Sequence, residues 1–158
     1  MNRDQLYKKI DSFNDELIYL RRHIHAHPEL SGLENQTAIL ITGFLKNIGW
    51  NVRESIGWTG VIADFGPLDQ GIIGLRVDMD ALPIFEETKL SFSSKVDGVM
   101  HACGHDLHIS IGLGVAKIIK DLKLNFGTRI IFQPAEEIAS GARSVSYTHL
   151  TLPTIFAV

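Results

Sequence analysis

The spacing of apolar residues predicts two helices at the start of the chain. Apolar side chains recur every three or four positions from Leu6 to Ile24, which is one stripe of an amphipathic helix that ends before Pro28. A second pattern of this kind covers residues 34–48, and Gly49 stands where a helix would stop. We therefore expect one long helix and one shorter helix before the first strand.

Short apolar runs predict the remaining elements. Strands are expected over residues 50–54, 60–65, 71–77 and 128–132, the last being the clearest because it is β-branched and apolar. A third amphipathic helix is expected over residues 107–122. Strands that alternate with helices predict an α/β sandwich with a largely parallel or mixed sheet.

Composition narrows the class of protein. The chain has 158 residues, of which 45% are hydrophobic, and this is enough for one domain with its own core. Its 15 basic and 18 acidic residues give a net charge of −3, which argues against nucleic-acid or anionic-membrane partners. No signal peptide or membrane-spanning run is visible, and a single cysteine cannot form an internal disulfide. We expect a cytoplasmic protein.

Residues 101–108, HACGHDLH, concentrate metal-binding side chains. Residues two positions apart face the same way on extended backbone, so Cys103 and His105 can both reach one ion if this segment is a loop or a strand. Which of the three imidazoles ligates stays open on spacing alone. The alternative is a buried structural thiol beside a histidine–aspartate pair that caps a helix.

Carboxylates follow two predicted strands, where the crevice of an open α/β sheet lies. Asp78 and Asp80 could bind a metal or orient a liganding histidine, or they could be a solvated strand end in which Arg76 pairs with Asp80. Glu136 and Glu137 could have different roles, one as a metal ligand and the other as a general base that takes a proton from water. The alternative for this pair is an exposed acidic start of a helix.

Three histidines at positions 23, 25 and 27 form an HxHxH pattern. Helical residues two apart lie about 200° apart around the axis, so these side chains cannot converge if the helix continues through His25. We expect them to shape the following loop and not to bind a metal.

The chain resembles the catalytic domain of the zinc-type metallopeptidase and amidohydrolase superfamily, of aminoacylase and carboxypeptidase-G type. The nearest branch is that of hippurate hydrolases, indole-acetyl-amino-acid hydrolases and N-acetyl-diaminopimelate deacetylases. The resemblance covers residues 1 to about 143. The strings that carry it are RRHIHAHPELS (21–31), GLRVDMDALP (74–83), MHACGHD (100–106) and FQPAEE (132–137).

The resemblance implies a three-layer α/β sandwich with a mixed sheet and a site for two divalent metal ions, of Mn, Zn, Ni or Co. It implies that Cys103, His105 and Glu137 are metal ligands, that Glu136 is the general base, and that Asp80 orients the site. Two further histidine ligands and a lid and dimerisation domain of the family have no counterpart in this chain. The chain is therefore expected to be the N-terminal part of a homodimeric parent and inactive by itself.

The substrate implied is a small N-acyl amino acid whose amide bond is hydrolysed. The alternatives are a di- or exopeptidase of the same superfamily and a metal-binding fragment without catalysis. A cysteine hydrolase using Cys103 and His105 is a weaker alternative, because residues two apart seldom place a base against a nucleophile.

The last residues, 144–158, fit neither the resemblance nor the domain. One codon choice for residues 145–154 reproduces a transposon-end adapter used in sequencing libraries. We expect the domain to end at Arg143 and this tail to be an artefact, the alternative being a natural edge strand.

Overall fold

The computed structural model describes residues 2–149 of the chain, with side chains up to residue 145. Three helices come first, three strands follow, and a helix, a strand and a helix complete this range. In chain order they are helices α1 (Arg3–Asp11), α2 (Asn14–Ala26) and α3 (Asn35–Asn47), strands β1 (Asn51–Ile56), β2 (Gly60–Phe65) and β3 (Ile72–Asp78), helix α4 (His105–Asp121), strand β4 (Gly127–Gln133) and helix α5 (Gly141–His149).

The four strands form one mixed sheet in the order β1-β2-β4-β3. Strand β2 is antiparallel to both β1 and β4, whereas β3 and β4 are parallel. In the parallel pair Asp78 lies opposite Gln133, so both strands end at the same edge of the sheet. The expected α/β fold with a mixed sheet is confirmed, and this shared edge positions the candidate site.

Helices cover both faces of the sheet. One face packs against α3 and α4 in the main core, where residues such as Ile41, Leu113 and Phe132 are fully buried. On the other face Val145 of α5 packs against Ile56 and Ile62 in a second, smaller cluster. The alternation of inward and outward side chains along the strands separates the two clusters and produces the expected three layers.

The N-terminal apolar stripe belongs to two helices and not to one, so that prediction is wrong. Helix α1 ends at Asp11, and Phe13, with a φ of −130°, precedes α2. The break turns Phe13 into the protein, where it is 5% exposed, whereas no residue of α1 is buried. The apolar spacing continues across the break, which is why periodicity alone could not reveal it.

The other predicted elements are present with boundaries within two residues of those expected. Strand β2 coincides with the predicted residues 60–65, and Gly49, with a φ of +86°, follows α3. No helix among residues 2–149 is long and apolar enough to cross a membrane. The expected boundary at Arg143 falls inside α5, and residues 150–158 lie outside the described part of the chain. A non-family tail therefore stays a prediction.

Candidate metal centre

The candidate site lies where β3 and β4 end. Two residues beyond β3, Asp80 is 1% exposed. Its Oδ2 accepts a hydrogen bond of 2.9 Å from the backbone N–H of Glu137, which follows β4. Parallel strands that end at one edge thus bring together carboxylates 57 positions apart in the sequence.

A left-handed glycine places the third segment of the site. Gly104 precedes α4 with a φ of +84° and a ψ of 22°, a conformation that costs glycine little and strains other residues. His105 is the first residue of α4, and Cys103 stands on the other side of the turn. The segment is thus a turn, one of the loop conformations that the sequence left open, and this turn brings the side chains of Cys103 and His105 together.

Cys103, His105 and Glu137 each offer one donor atom, and the three donor atoms lie within 4.8 Å of one another. No other such group exists among the residues whose side chains the structure describes. Donors of a tetrahedral zinc site are roughly 3.5 Å apart, given bond lengths of about 2.0–2.3 Å. Glu137 Oε1 is buried without a hydrogen-bond partner in the described part of the chain. A carboxylate oxygen with no hydrogen-bond partner among those residues, beside thiol and imidazole donors, fits a divalent cation.

The backbone fixes the orientation of His105. Its Nδ1 lies 2.9 Å from the carbonyl oxygen of Asp80, which can only accept a hydrogen bond, so Nδ1 carries a hydrogen. In a neutral ring this leaves the lone pair on Nε2. Nε2 is 3.9 Å from Oε2 of Glu136, and Nδ1 is 4.0 Å from Oε1 of Glu137. A backbone acceptor that sets the tautomer is a common support for a metal-binding histidine.

Asp80 and His105 shift each other's pKa in opposite directions. Burial alone would raise the pKa of Asp80, but contacts with His105, Ser31 and the N–H of Glu137 outweigh it and lower that pKa to about 2. Ser31 contributes a hydrogen bond of 2.6 Å from its hydroxyl to Oδ2. The carboxylate of Asp80 in turn raises the pKa of His105 to about 9. Asp80 is thus an ionised group that holds the imidazole in place.

The two adjacent glutamates lie in a turn outside a helix and differ in exposure. The side chain of Glu137 is 15% exposed and joins the donor group, whereas that of Glu136 is 37% exposed and lies at its edge. The carboxylate of Glu137 also raises the pKa of the Cys103 thiol. The site therefore has one carboxylate inside the donor group and another that solvent and a ligand can reach.

The other polar residues singled out in the sequence lie outside the donor group. Asp78 pairs with Arg76 at 3.1 Å, and its backbone N–H donates to Nδ1 of His108. The suggested pairing of Arg76 with Asp80 is therefore wrong. His101 is buried, neither of its ring nitrogens has a hydrogen-bond partner among the described residues, and burial lowers its pKa to about 4.

Asp106 and His25 form a separate buried contact that sequence reasoning missed. Nδ1 of His25 lies 2.7 Å from Oδ2 of Asp106, and Arg21 donates to the same oxygen at 2.8 Å. Helix α2 continues through His25, so His23 and His27 lie on another side of it, with their rings 4.6 Å apart. Asp106 therefore ties α2 to α4 and does not reach the donor group.

Glu34 is a second buried residue that sequence analysis overlooked. It is fully buried, and its Oε1 accepts a hydrogen bond of 2.9 Å from the backbone N–H of Ala135, the residue before Glu136. In the sequence Glu34 reads only as the start of a helix. Its neighbours at positions 31–32 and 35–37 are polar or small, so no local signal pointed to a buried carboxylate.

Comparison with known proteins adds three findings. A family model described as peptidase family M20/M25/M40 matches residues 74–153, half of the chain. A probable hydrolase of Synechocystis is 50% identical over 130 residues, and an N-acetylcysteine deacetylase of Bacillus subtilis is 47% identical over 138 residues. These alignments cover 80% and 85% of this chain but 33% and 36% of the relatives, so the chain spans about a third of their length.

A solved structure agrees with the fold. The YXEP protein of Bacillus subtilis, described as a dinuclear metal-binding peptidase of the M20 family, superposes with a TM-score of 0.82 at 45% identity. The superposition covers 87% of this chain and 39% of that protein.

Proposed function

The chain belongs to peptidase family M20/M25/M40, and on that premise we propose that it is the N-terminal part of a metal-dependent amidohydrolase. The proposed reaction is hydrolysis of the amide bond of N-acyl amino acids. The observation that carries the proposal is the convergence of Cys103, His105 and Glu137, with the carboxylate of Glu136 beside them. Relatives described as a hydrolase and a deacetylase support the reaction type.

We propose that Cys103, His105 and Glu137 contribute ligands to a paired site for divalent Mn, Zn, Ni or Co. A divalent cation held there would polarise the amide carbonyl and lower the pKa of a bound water to about 7. The described dinuclear relative supports two ions, and the remaining ligands would come from parts of the protein beyond this chain. Asp80 holds His105 in the orientation that this ligand set requires.

Glu136 moves the proton. Its carboxylate is the exposed member of the pair, and we propose that it accepts a proton from the attacking water. It then returns that proton to the nitrogen of the leaving amine, so that a carboxylic acid and a free amino acid are released. A single carboxylate can serve as base and then as acid because it stays within reach of both atoms.

The test uses the full-length protein that contains this chain. Glu136→Gln is expected to keep its metal, measured by elemental analysis, and to lose turnover of N-acetyl, N-benzoyl or indole-acetyl amino acids by about 10² or more. Glu137→Gln is expected to lose metal as well. Glu87→Gln, at an exposed glutamate outside the site, is the matched control. Near wild-type turnover by Glu136→Gln would refute the mechanism.

The family description also admits an exopeptidase, and the same assay separates the two functions. Dipeptides with a free amino terminus are compared with N-acyl amino acids of the same leaving residue. Faster turnover of the dipeptides favours the exopeptidase. A homodimeric parent, a cytoplasmic location and an inactive isolated chain stay predictions.

A further inference from the structure

Glu34 accepts hydrogen bonds from three separate segments of the chain. Its Oε1 accepts from the backbone N–H of Gly32 and of Ala135, both at 2.9 Å. Its Oε2 accepts from the hydroxyl of Thr59 at 2.5 Å, in the turn between β1 and β2. Glu34 itself is 0% exposed. A buried carboxylate is costly unless it is hydrogen-bonded, so these donors account for its presence in the interior.

Ala135, whose N–H donates one of these hydrogen bonds, has an unusual backbone conformation. Its φ is +51°, in the left-handed region that residues other than glycine avoid. Ser140 and Gly141 donate their N–H groups to its carbonyl oxygen at 3.2 and 3.1 Å. Glu34 holds the N–H of the same residue. Such a conformation persists only where the surroundings hold it from several sides.

The direction of the chain after Ala135 decides where Glu136 points. Ala135 is the last residue before Glu136, whose Oε2 lies 3.9 Å from Nε2 of His105. The next residue, Glu137, has a separate support, because its N–H is held by Asp80. Release of Ala135 would thus affect Glu136 before it affects the ligand Glu137.

We propose that Glu34 is a positioning residue for Glu136: it fixes the left-handed turn at Ala135 and so aims the Glu136 carboxylate. The catalytic part of this inference rests on the proposed function, since it takes Glu136 to be the base. The structural part does not, because the turn exists whatever reaction follows.

Nearby Glu29 offers a matched comparison. Its two carboxylate oxygens accept the N–H groups of Gln36 and Thr37, at 3.0 and 2.8 Å, at the start of α3. Glu29 is thus a carboxylate of the same region that caps backbone donors yet does not touch residues 134–141 through its side chain. Its removal reports the effect of lost stability alone.

The experiment compares four variants of the full-length protein. Glu34→Ala removes both acceptor oxygens and with them all three hydrogen bonds, and Thr59→Val removes only the hydroxyl donor. Glu34→Gln is nearly isosteric: its Oε1 keeps both backbone hydrogen bonds, and its amide can donate to the Thr59 hydroxyl. Glu29→Ala is the control. Metal content, kcat, KM and amide hydrogen exchange of residues 134–141 are measured for each.

We expect Glu34→Ala to keep its metal, to lose kcat by about 10- to 100-fold with little change in KM, and to exchange faster at residues 134–141. Thr59→Val is expected to show a smaller loss of kcat and a smaller rise in exchange. This variant tests the proposal if Glu34→Ala does not fold. Glu34→Gln restores near wild-type kcat and exchange. Glu29→Ala lowers thermal stability but leaves kcat and exchange of residues 134–141 unchanged.

The proposal is overturned if exchange of residues 134–141 is unchanged in Glu34→Ala and Thr59→Val, or if Glu29→Ala lowers kcat as much as Glu34→Ala. Failure of the proposed function looks different. Glu136→Gln would then remain active, while faster exchange in Glu34→Ala would still support the role of Glu34 in holding the turn.

Discussion

Glu137 donates its backbone N–H to Oδ2 of Asp80 at 2.9 Å, so the chain beyond β4 is hydrogen-bonded to the chain beyond β3. Asp80 meets the site in two further ways. Its carbonyl oxygen accepts from Nδ1 of His105, and its carboxylate accepts from the hydroxyl of Ser31. Asp80 thus connects two proposed ligands, His105 and Glu137, so a change at Asp80 should alter the position of both.

Asp80→Asn is expected to weaken metal binding about 10- to 100-fold, as is typical when a partner of a liganding histidine is changed. The amide keeps the shape of the side chain but removes the negative charge beside His105. Metal affinity of the full-length protein, measured by competition with a chelator, checks this. Asp78→Asn, at the same strand end but outside the donor group, is the control. Equal affinities for the two variants would contradict the role of Asp80.

Cys103→Ala and His105→Ala should each lower metal content, because each removes one of three converging donors. The loss of metal affinity is expected to exceed the roughly 10- to 100-fold effect of changing a supporting residue. Elemental analysis after dialysis measures it. His23→Ala removes an exposed imidazole outside the donor group and should leave the metal content unchanged. Wild-type stoichiometry in both site variants would rule out the ligand assignment.

Gly141→Ala should destabilise the protein, whereas Gly43→Ala should not. A Cβ at Gly141 would lie 1.5 Å from the carbonyl oxygen of Pro134, so the backbone would have to move. Overpacking of this kind costs about 1–3 kcal/mol or more. A Cβ at Gly43 in α3 meets nothing within 4 Å, and replacing an internal helical glycine gains about 0.5–1 kcal/mol. Denaturant unfolding of both variants measures the difference, and equal free energies of unfolding would contradict it.

Glu86 should contribute to stability in a pH-dependent way. Burial would raise its pKa, but hydrogen bonds from the N–H of Ser94, from Thr88 and from His25 outweigh burial and lower the pKa from 4.5 to about 2. A lowered carboxyl pKa stabilises the folded state fully above pH 4.5, and this contribution is lost as the pH falls through 2. The wild-type advantage over Glu86→Gln should therefore narrow between pH 4.5 and 2.

Free energies of unfolding across that pH range test the prediction, with Glu87→Gln as the exposed neighbouring control. A wild-type advantage over Glu86→Gln that stays constant from pH 4.5 to 2 would refute it. The prediction would also be refuted if the difference in free energy of unfolding between the wild type and Glu87→Gln narrowed by the same amount.

Most of the fold could be predicted from the sequence because its signals are local. Strand β2 and the end of α3 at Gly49 follow from apolar runs and from a glycine in the left-handed region. The parallel part of the mixed sheet follows from the strand–helix–strand order of β3, α4 and β4. The break between α1 and α2, just before Phe13, was not predicted because the apolar spacing is the same on both sides of it.

The chemical identity of the site was also local, since Cys103, His105 and the two adjacent glutamates stand in short motifs. The hydrogen bonds that hold the site in place are not local in the sequence. The carboxylate of Glu34 accepts from the N–H of Ala135, 101 positions away. That of Asp80 accepts from the N–H of Glu137, 57 positions away. Such contacts depend on how the strands pair and how the helices pack, which no local spacing encodes. The sequence by itself therefore determined which side chains could bind a metal. Only the tertiary structure decided which buried carboxylates hold them in place, because a buried charge is stable only where folding brings distant donors to it.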